Sequence, residues 1–142
     1  MKTAKQLLED KAPDIWTVAS DTLVVDAAKL MADKGIGALL VVDYARVVGI
    51  VSERDYVRNA VGNPAKELRV REIMTKQIVY VRPEQTSEEC MALMSHKGIR
   101  HLPVMDGTML LGVISIKDVA KELIADQEFL IEQLENYIAV GY

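Results

Sequence analysis

Gly49-Ile50-Val51-Ser52-Glu53-Arg54-Asp55 occurs twice in this chain: sixty-three residues later the sequence reads Gly112-Val113-Ile114-Ser115-Ile116-Lys117-Asp118. Glycine, two β-branched residues, serine, a basic residue and aspartate return in register. The match extends without a gap. Lys34-Gly35-Ile36 returns as Lys97-Gly98-Ile99, Leu30-Met31 as Leu93-Met94, and Leu39, Val41 and Asp43 as Leu102, Val104 and Asp106. A solenoid needs at least three units to bury a continuous core, so two copies point instead to a closed, pseudo-symmetric pair. A repeat of about sixty residues is marginal alone, which makes a shared core the expectation.

The bulk numbers agree with that frame. The chain has 142 residues, 50% hydrophobic and 27% charged, enough for a core in one compact domain or two interlocked halves. A net charge of −4 supplies no overall positive field for nucleic acid. The single cysteine, Cys90, excludes an intramolecular disulfide and suits a reducing compartment. Met1-Lys2-Thr3-Ala4-Lys5-Gln6 lacks the apolar core of a secretory signal. No apolar run approaches the roughly 18 residues of a membrane span. The expectation is a cytoplasmic protein with neither membrane nor nucleic-acid partners.

Taken in order, residues 1–14 begin with a short amphipathic piece carrying Ala4, Leu7 and Leu8, broken at Pro13. Residues 15–18 form a short strand. Asp21 or Thr22 caps a helix to about Lys34, with Leu23, Ala27, Leu30 and Met31 at helical spacing and Gly35 as its stop. The apolar run 36–42 reads as a strand buried on both faces. Asp43-Tyr44-Ala45 turns the chain, 47–51 is a second strand, and a helix runs from Ser52 to about Val61, closed by Gly62-Asn63-Pro64. A charged connector spans 64–72. The second unit repeats the order: strand 78–81, helix 86–97, strand 99–104, turn at Asp106-Gly107, strand 109–115, and a helix to about Ala125. Each unit is therefore β-α-β-β-α, giving an α/β (α+β) chain of two repeats, 1–63 and 64–125. Residues 126–142 have no counterpart. There Leu130, Ile131, Leu134, Tyr137 and Ile138 make an apolar stripe suited to a C-terminal helix.

Gly-x-x-Ser-x-x-Asp at a strand-to-helix junction has two readings. In one it is a capping box, the serine capping the helix and the acid reaching back, worth about 1 kcal/mol. In the other it is a ligand site. Both copies use Asp rather than the usual Glu or Gln, and each Asp follows a cation, Arg54 or Lys117. Free helix N–H groups and a cation attract an anion, while a carboxylate accepts two hydroxyl hydrogen bonds. That combination fits a ribose phosphate.

With these residues the chain resembles the tandem cystathionine-β-synthase (CBS) domain pair, or Bateman module. The phrases that carry the resemblance are Lys97-Gly98-Ile99-Arg100-His101-Leu102-Pro103-Val104, Glu72-Ile73-Met74-Thr75 and the two Ser-x-x-Asp turns, within residues 3–125. The resemblance implies two clefts related by a pseudo-twofold axis that bind adenine nucleotides: AMP first, with ADP, ATP, NAD(H) or S-adenosylmethionine as other candidates. It implies that Asp55 and Asp118 hold ribose diols, that Ser52 and Ser115 assist, and that Arg54 and Lys117 meet phosphate. It pairs Asp55 with Arg100, His101, Leu102 and Pro103, and Asp118 with Ile36, Gly37, Ala38 and Leu39, with Thr17 and Tyr80 flanking the bases. The Asp55 cleft, gathering Arg54, Arg100 and His101, is expected to favour phosphate. The Asp118 cleft has Gly37-Ala38-Leu39-Leu40 where the family phrase carries a polar residue and proline, so it takes a different ligand or stays empty.

The remaining candidates are bland. His96 and His101 do not share a helical face, so no metal site is expected. Cys90 aligns with Ala27 and reads as a small buried residue, and Met31, Met74, Met91, Met94, Met105 and Met109 as core filler. No nucleophile, base and orienting group stand together, so no catalytic residue and no catalytic cofactor are assigned. The expected function is nucleotide-sensing signal transduction (energy sensing), with a homodimer formed through the C-terminal helix and a regulated protein the sequence does not name. The alternative is a structural or partner-binding module with degenerate clefts.

Overall fold

Two helices that end on left-handed glycines, each feeding a strand hairpin, build the same local fold twice. The computed structural model describes residues 1–11, 16–59, 61–62 and 67–140, with side chains to residue 136. The order is α1 (Ala4–Glu9), β1 (Thr17–Val18), α2 (Val24–Lys34), β2 (Ala38–Asp43), β3 (Arg46–Ser52), α3 (Glu53–Asn59), α4 (Val70–Ile73), α5 (Ser87–Lys97), β4 (His101–Asp106), β5 (Met109–Ser115) and α6 (Ile116–Val140). The chain is thus mixed α and β, with the repeated β-hairpin-helix pattern and a C-terminal helix. Gly35 and Gly98 adopt φ of 66° and 65°, the left-handed geometry that lets the Ile36 and Ile99 N–H groups close back on Met31 and Met94 carbonyls at 3.0 Å. Pro13, Asn63 and Pro64 lie outside the described residues.

The chain divides into two compact units. One, the first-repeat unit, comprises Ile15–Val79 and Gly107–Leu110. The other, the second-repeat unit, comprises Met1–Asp14, Tyr80–Asp106 and Leu111–Tyr142. Each joins a repeat to the short helix that precedes the other repeat. The docking is the same in both. The Val70 N–H donates to the Thr22 carbonyl (2.8 Å) and the Val24 N–H to the Leu68 carbonyl (2.9 Å). Correspondingly, Ala4 donates to Gln85 (2.7 Å) and Ser87 to Lys2 (2.8 Å).

In the first-repeat unit β1 runs parallel to β2, Thr17 opposite Leu40 and Val18 opposite Val41. β2 is antiparallel to β3 with a bulge between Val41 and Val42, and Arg46 of β3 lies opposite Met109. Val24, Ala27, Met31, Leu39, Val41 and Val51 form the core with Val70 and Ile73 of α4. In the second-repeat unit β5 neighbours β4; Cys90, Met94, Leu102, Val104, Ile114 and Val119 are buried there, as are Ala4 and Leu7 of α1.

Four local expectations change. The α2 N-cap is Leu23, with no side-chain cap, because main chain from the segment before the second repeat already meets the first free N–H of the helix. The strand expected at 78–81 reduces to one bridge, Val81 opposite Val104. The connector holds a short helix, α4. Finally, α6 continues unbroken through Ala125, where no glycine or proline interrupts it.

Candidate functional site

In both units a strand ends on serine and its helix begins at the next residue, with the aspartate facing back. The Ser52 N–H and hydroxyl donate to Asp55 Oδ2 at 2.9 and 3.0 Å, and the Asp55 N–H donates to Ser52 Oγ at 3.2 Å. The Ser115 N–H donates to Asp118 Oδ2 at 2.8 Å and the Asp118 N–H to Ser115 Oγ at 3.2 Å. The capping box is therefore real in both copies. It uses Oδ2 alone and turns the half-buried carboxyl so that Oδ1 stands outside the cap.

The next N–H pins a strand beside each turn. Glu53 donates to the Gly37 carbonyl at 3.0 Å, and Ile116 to the Arg100 carbonyl at 2.8 Å. Ala38 lies opposite Ser52 in the sheet. Gly37 and Ala38 thus flank the Asp55 turn, and Arg100 and His101 flank the Asp118 turn. The motif glycines have a separate cause. A Cβ on Gly49 would lie 2.7 Å from Met74 Sδ and 3.0 Å from the Thr75 carbonyl, and one on Gly112 would lie 2.6 Å from Leu8 Cδ2. Met74, at the C-cap of α4, and Leu8, in the last turn of α1, press on the strands where the glycines leave room.

The two turns differ in charge. Lys11 Nζ donates to Asp118 Oδ2 at 2.8 Å and to the Val113 carbonyl at 3.2 Å. Burial alone would raise the Asp118 pKa. The Lys11 hydrogen bond, the Ser115 N–H and hydroxyl, and the Lys11 charge outweigh it and hold the carboxyl below its ordinary range. Partial burial, then the Lys11 charge, push the His101 imidazole below its ordinary value, with Arg100 adding to the effect and Asp118 opposing it. Asp55 has no ion-pair partner within its own unit among the described residues.

The other sequence candidates fall as follows. Arg54 and Lys117 are exposed on the first turns of α3 and α6. Thr17 is exposed on β1, and Tyr80, also exposed, precedes the Val81 bridge. Ile36 is half-buried, while Leu39, Leu102 and Pro103 are buried. Within the units, Arg100 and His101 accompany Asp118, and Gly37 to Leu39 accompany Asp55. Lys11 was not among the sequence candidates. It contacts Asp118 across 107 residues of chain, and no motif or periodicity marks it.

Among the described residues, no group of three or more His, Cys, Asp and Glu is placed to hold a metal. No described helix is long and apolar enough to cross a membrane.

The CBS domain family model matches twice, over residues 8–62 and 70–125. The chain is 35% identical over 135 residues to the CBS domain-containing protein CBSX3, mitochondrial, of Arabidopsis thaliana. That match covers 90% of this chain, which spans 65% of the relative's length. A solved structure from Burkholderia ambifaria, described as a signal-transduction protein with CBS domains, is 51% identical with a TM-score of 0.75, covering 89% of this chain and 96% of that one. The CBS domain pair of protein MJ0100, solved with 5′-methylthioadenosine and S-adenosyl-L-methionine, shares the fold at a TM-score of 0.71 and 22% identity, covering 89% and 98%.

Proposed function

The chain belongs to the CBS domain family, and from that membership we propose that it is a regulatory module whose two Ser-x-x-Asp turns bind adenosyl ligands, AMP first among them. The observation that carries this reading is the shared geometry of the turns. Each carboxylate is fixed through Oδ2 by its own helix cap, which leaves Oδ1 to accept from a ribose diol. A hydrogen bond to a charged group contributes about 1.5–3 kcal/mol. Micromolar binding totals only about 8 kcal/mol, so one aspartate carries a large share. The adenosyl ligands in the MJ0100 pair support the ligand class.

The module senses and does not catalyse. Its one thiol, on Cys90, is buried and its pKa is pushed up to about 11, first by that burial, so it carries no reactive thiolate near neutral pH. It signals to a protein it regulates, in the cytoplasm, as a homodimer. The dimer reading rests on α6, which exposes Phe129, Leu130, Ile131 and Leu134. One observation favours a second reading, a partner-binding module with degenerate turns: the caps by themselves give both aspartates a structural role.

A thermal-shift series with AMP, ADP, ATP, NADH and S-adenosylmethionine separates the two readings. A ligand bound only by the native state raises Tm as its concentration passes Kd. Asp55→Asn and Asp118→Asn keep a cap acceptor and remove the charge, so each variant is compared with its own ligand-free melt. A shift lost in one variant names ligand and turn. No shift with any of these at millimolar levels sinks the sensor reading and leaves the partner-binding module.

A further inference from the structure

We propose that Lys11 is a built-in counter-ion of the second turn, so that the Asp118 turn favours an adenosyl ligand that brings an anion, such as a phosphate, to draw Lys11 off the carboxylate. The inference rests on the nucleotide reading above and adds a charge rule to one of its sites.

Lys11 Nζ and the Ser115 N–H both donate to the same oxygen, Asp118 Oδ2, at 2.8 Å each. The two ion-pair side chains are only 27% and 26% exposed, so water screens the pair less than it would a surface pair. Oδ1 is left for a ribose diol, but Lys11 on Oδ2 already neutralises the carboxylate, so a neutral ribose gains less there than from a free carboxylate, and drawing the ammonium away for it would strand a cation in a half-buried place. A phosphorylated ligand avoids both losses. Its diol goes to Asp118, its phosphate to Lys11, and every charge keeps a partner. Arg100 and His101 stand at the same turn, and the positive charges that lower the His101 pKa are those a phosphate would meet.

Among the described residues of the first-repeat unit this device is absent. Leu8 and Met74 occupy matching places, each pressed against a motif glycine. Counting three residues on from each, Lys11 corresponds to Gln77, an exposed neutral amide. The Asp55 turn therefore has no resident cation from the corresponding segment, and a neutral adenosyl ligand faces no such competition there.

The test uses the full chain carrying Asp55→Asn, which leaves the second turn as the binding site, titrated calorimetrically with AMP and with adenosine. With Lys11 in place, adenosine is expected to bind at least about tenfold more weakly than AMP, a difference of about 1.4 kcal/mol. Lys11→Gln, which installs the residue of the other unit, is expected to weaken AMP, strengthen adenosine and close that gap. An AMP-to-adenosine ratio unchanged by Lys11→Gln overturns the counter-ion role while leaving nucleotide binding intact. NMR titration of the Asp118 carboxyl carbon needs no ligand: its pKa should rise in Lys11→Gln. An unmoved titration overturns the inference by itself. Failure of both AMP and adenosine to bind the unsubstituted chain at millimolar concentration removes AMP as the ligand, and the inference with it.

Discussion

At the position where α2 buries Val24, α5 buries Ser87, whose hydroxyl has no hydrogen-bond partner among the described residues. An unsatisfied buried hydroxyl costs about 1–3 kcal/mol. Ser87→Ala is therefore expected to stabilise the protein by about 1 kcal/mol, seen as a higher denaturant midpoint at unchanged slope. A lower midpoint would mean that the hydroxyl is satisfied in solution. Asp118 makes the opposite case, a polar group that is well partnered. Its carboxyl is held below the unfolded value of about 3.9, by Lys11 first among the favourable causes. The stability it contributes is complete above that unfolded value and is lost as pH falls through the lower, folded one. Asp118→Asn should therefore lower the denaturant midpoint at pH 7 and flatten its decline as pH falls below the unfolded carboxyl value. A decline as steep as in the unsubstituted chain would place the acid sensitivity on other carboxylates.

Among the elements, α6 is the one the repeats do not account for. Its first turns belong to the second Ser-x-x-Asp motif, and Val119 near its start is fully buried. Beyond Ala125 the same helix presents Phe129, Leu130, Ile131 and Leu134 at 54–65% exposure. Tyr137 and Ile138 continue the sequence stripe, but their side chains lie outside the described residues. One helix thus passes from a buried role to an unpartnered apolar face, which is the basis of the dimer reading. Leu130→Glu combined with Leu134→Glu places charge on one face, four residues apart. In sedimentation velocity the pair of substitutions should convert dimer to monomer with little change in far-UV circular dichroism. A dimer that survives both would move the interface off this face.

For the whole molecule, repeat and compact unit are different divisions of the chain. The short helix α1 has six residues, too few to persist alone, and its Ala4 and Leu7 are buried in the unit of the second repeat. The helix α4 makes the same contribution, through Val70 and Ile73, to the unit of the first repeat. Deleting residues 2–11 should therefore strip amide-exchange protection mainly from α5, β4 and β5, and leave α2, β2 and β3 largely protected. Loss concentrated in α2, β2 and β3 would show that the N-terminal helix serves the repeat it precedes in sequence.

The sequence by itself determined what depends on neighbours along the chain. Apolar spacing over a few residues placed α2 and the first hairpin, and the repeat carried the same order to α5 and the second hairpin. The left-handed requirement placed Gly35 and Gly98 at helix ends, and the return of one phrase sixty-three residues on established the duplication. The Ser-x-x-Asp turns were legible for the same reason, because a capping box closes within four residues. The tertiary structure alone decided what depends on partners far away. The α2 cap at Leu23 arises because the Val24 N–H finds Leu68. Gly49 and Gly112 stay small because Met74 and Leu8 lean on them. Lys11 reaches Val113 and Asp118 over 102 and 107 residues. Packing brings these groups together at separations that leave no periodicity in the chain, so the charge that distinguishes the two turns was readable only after folding.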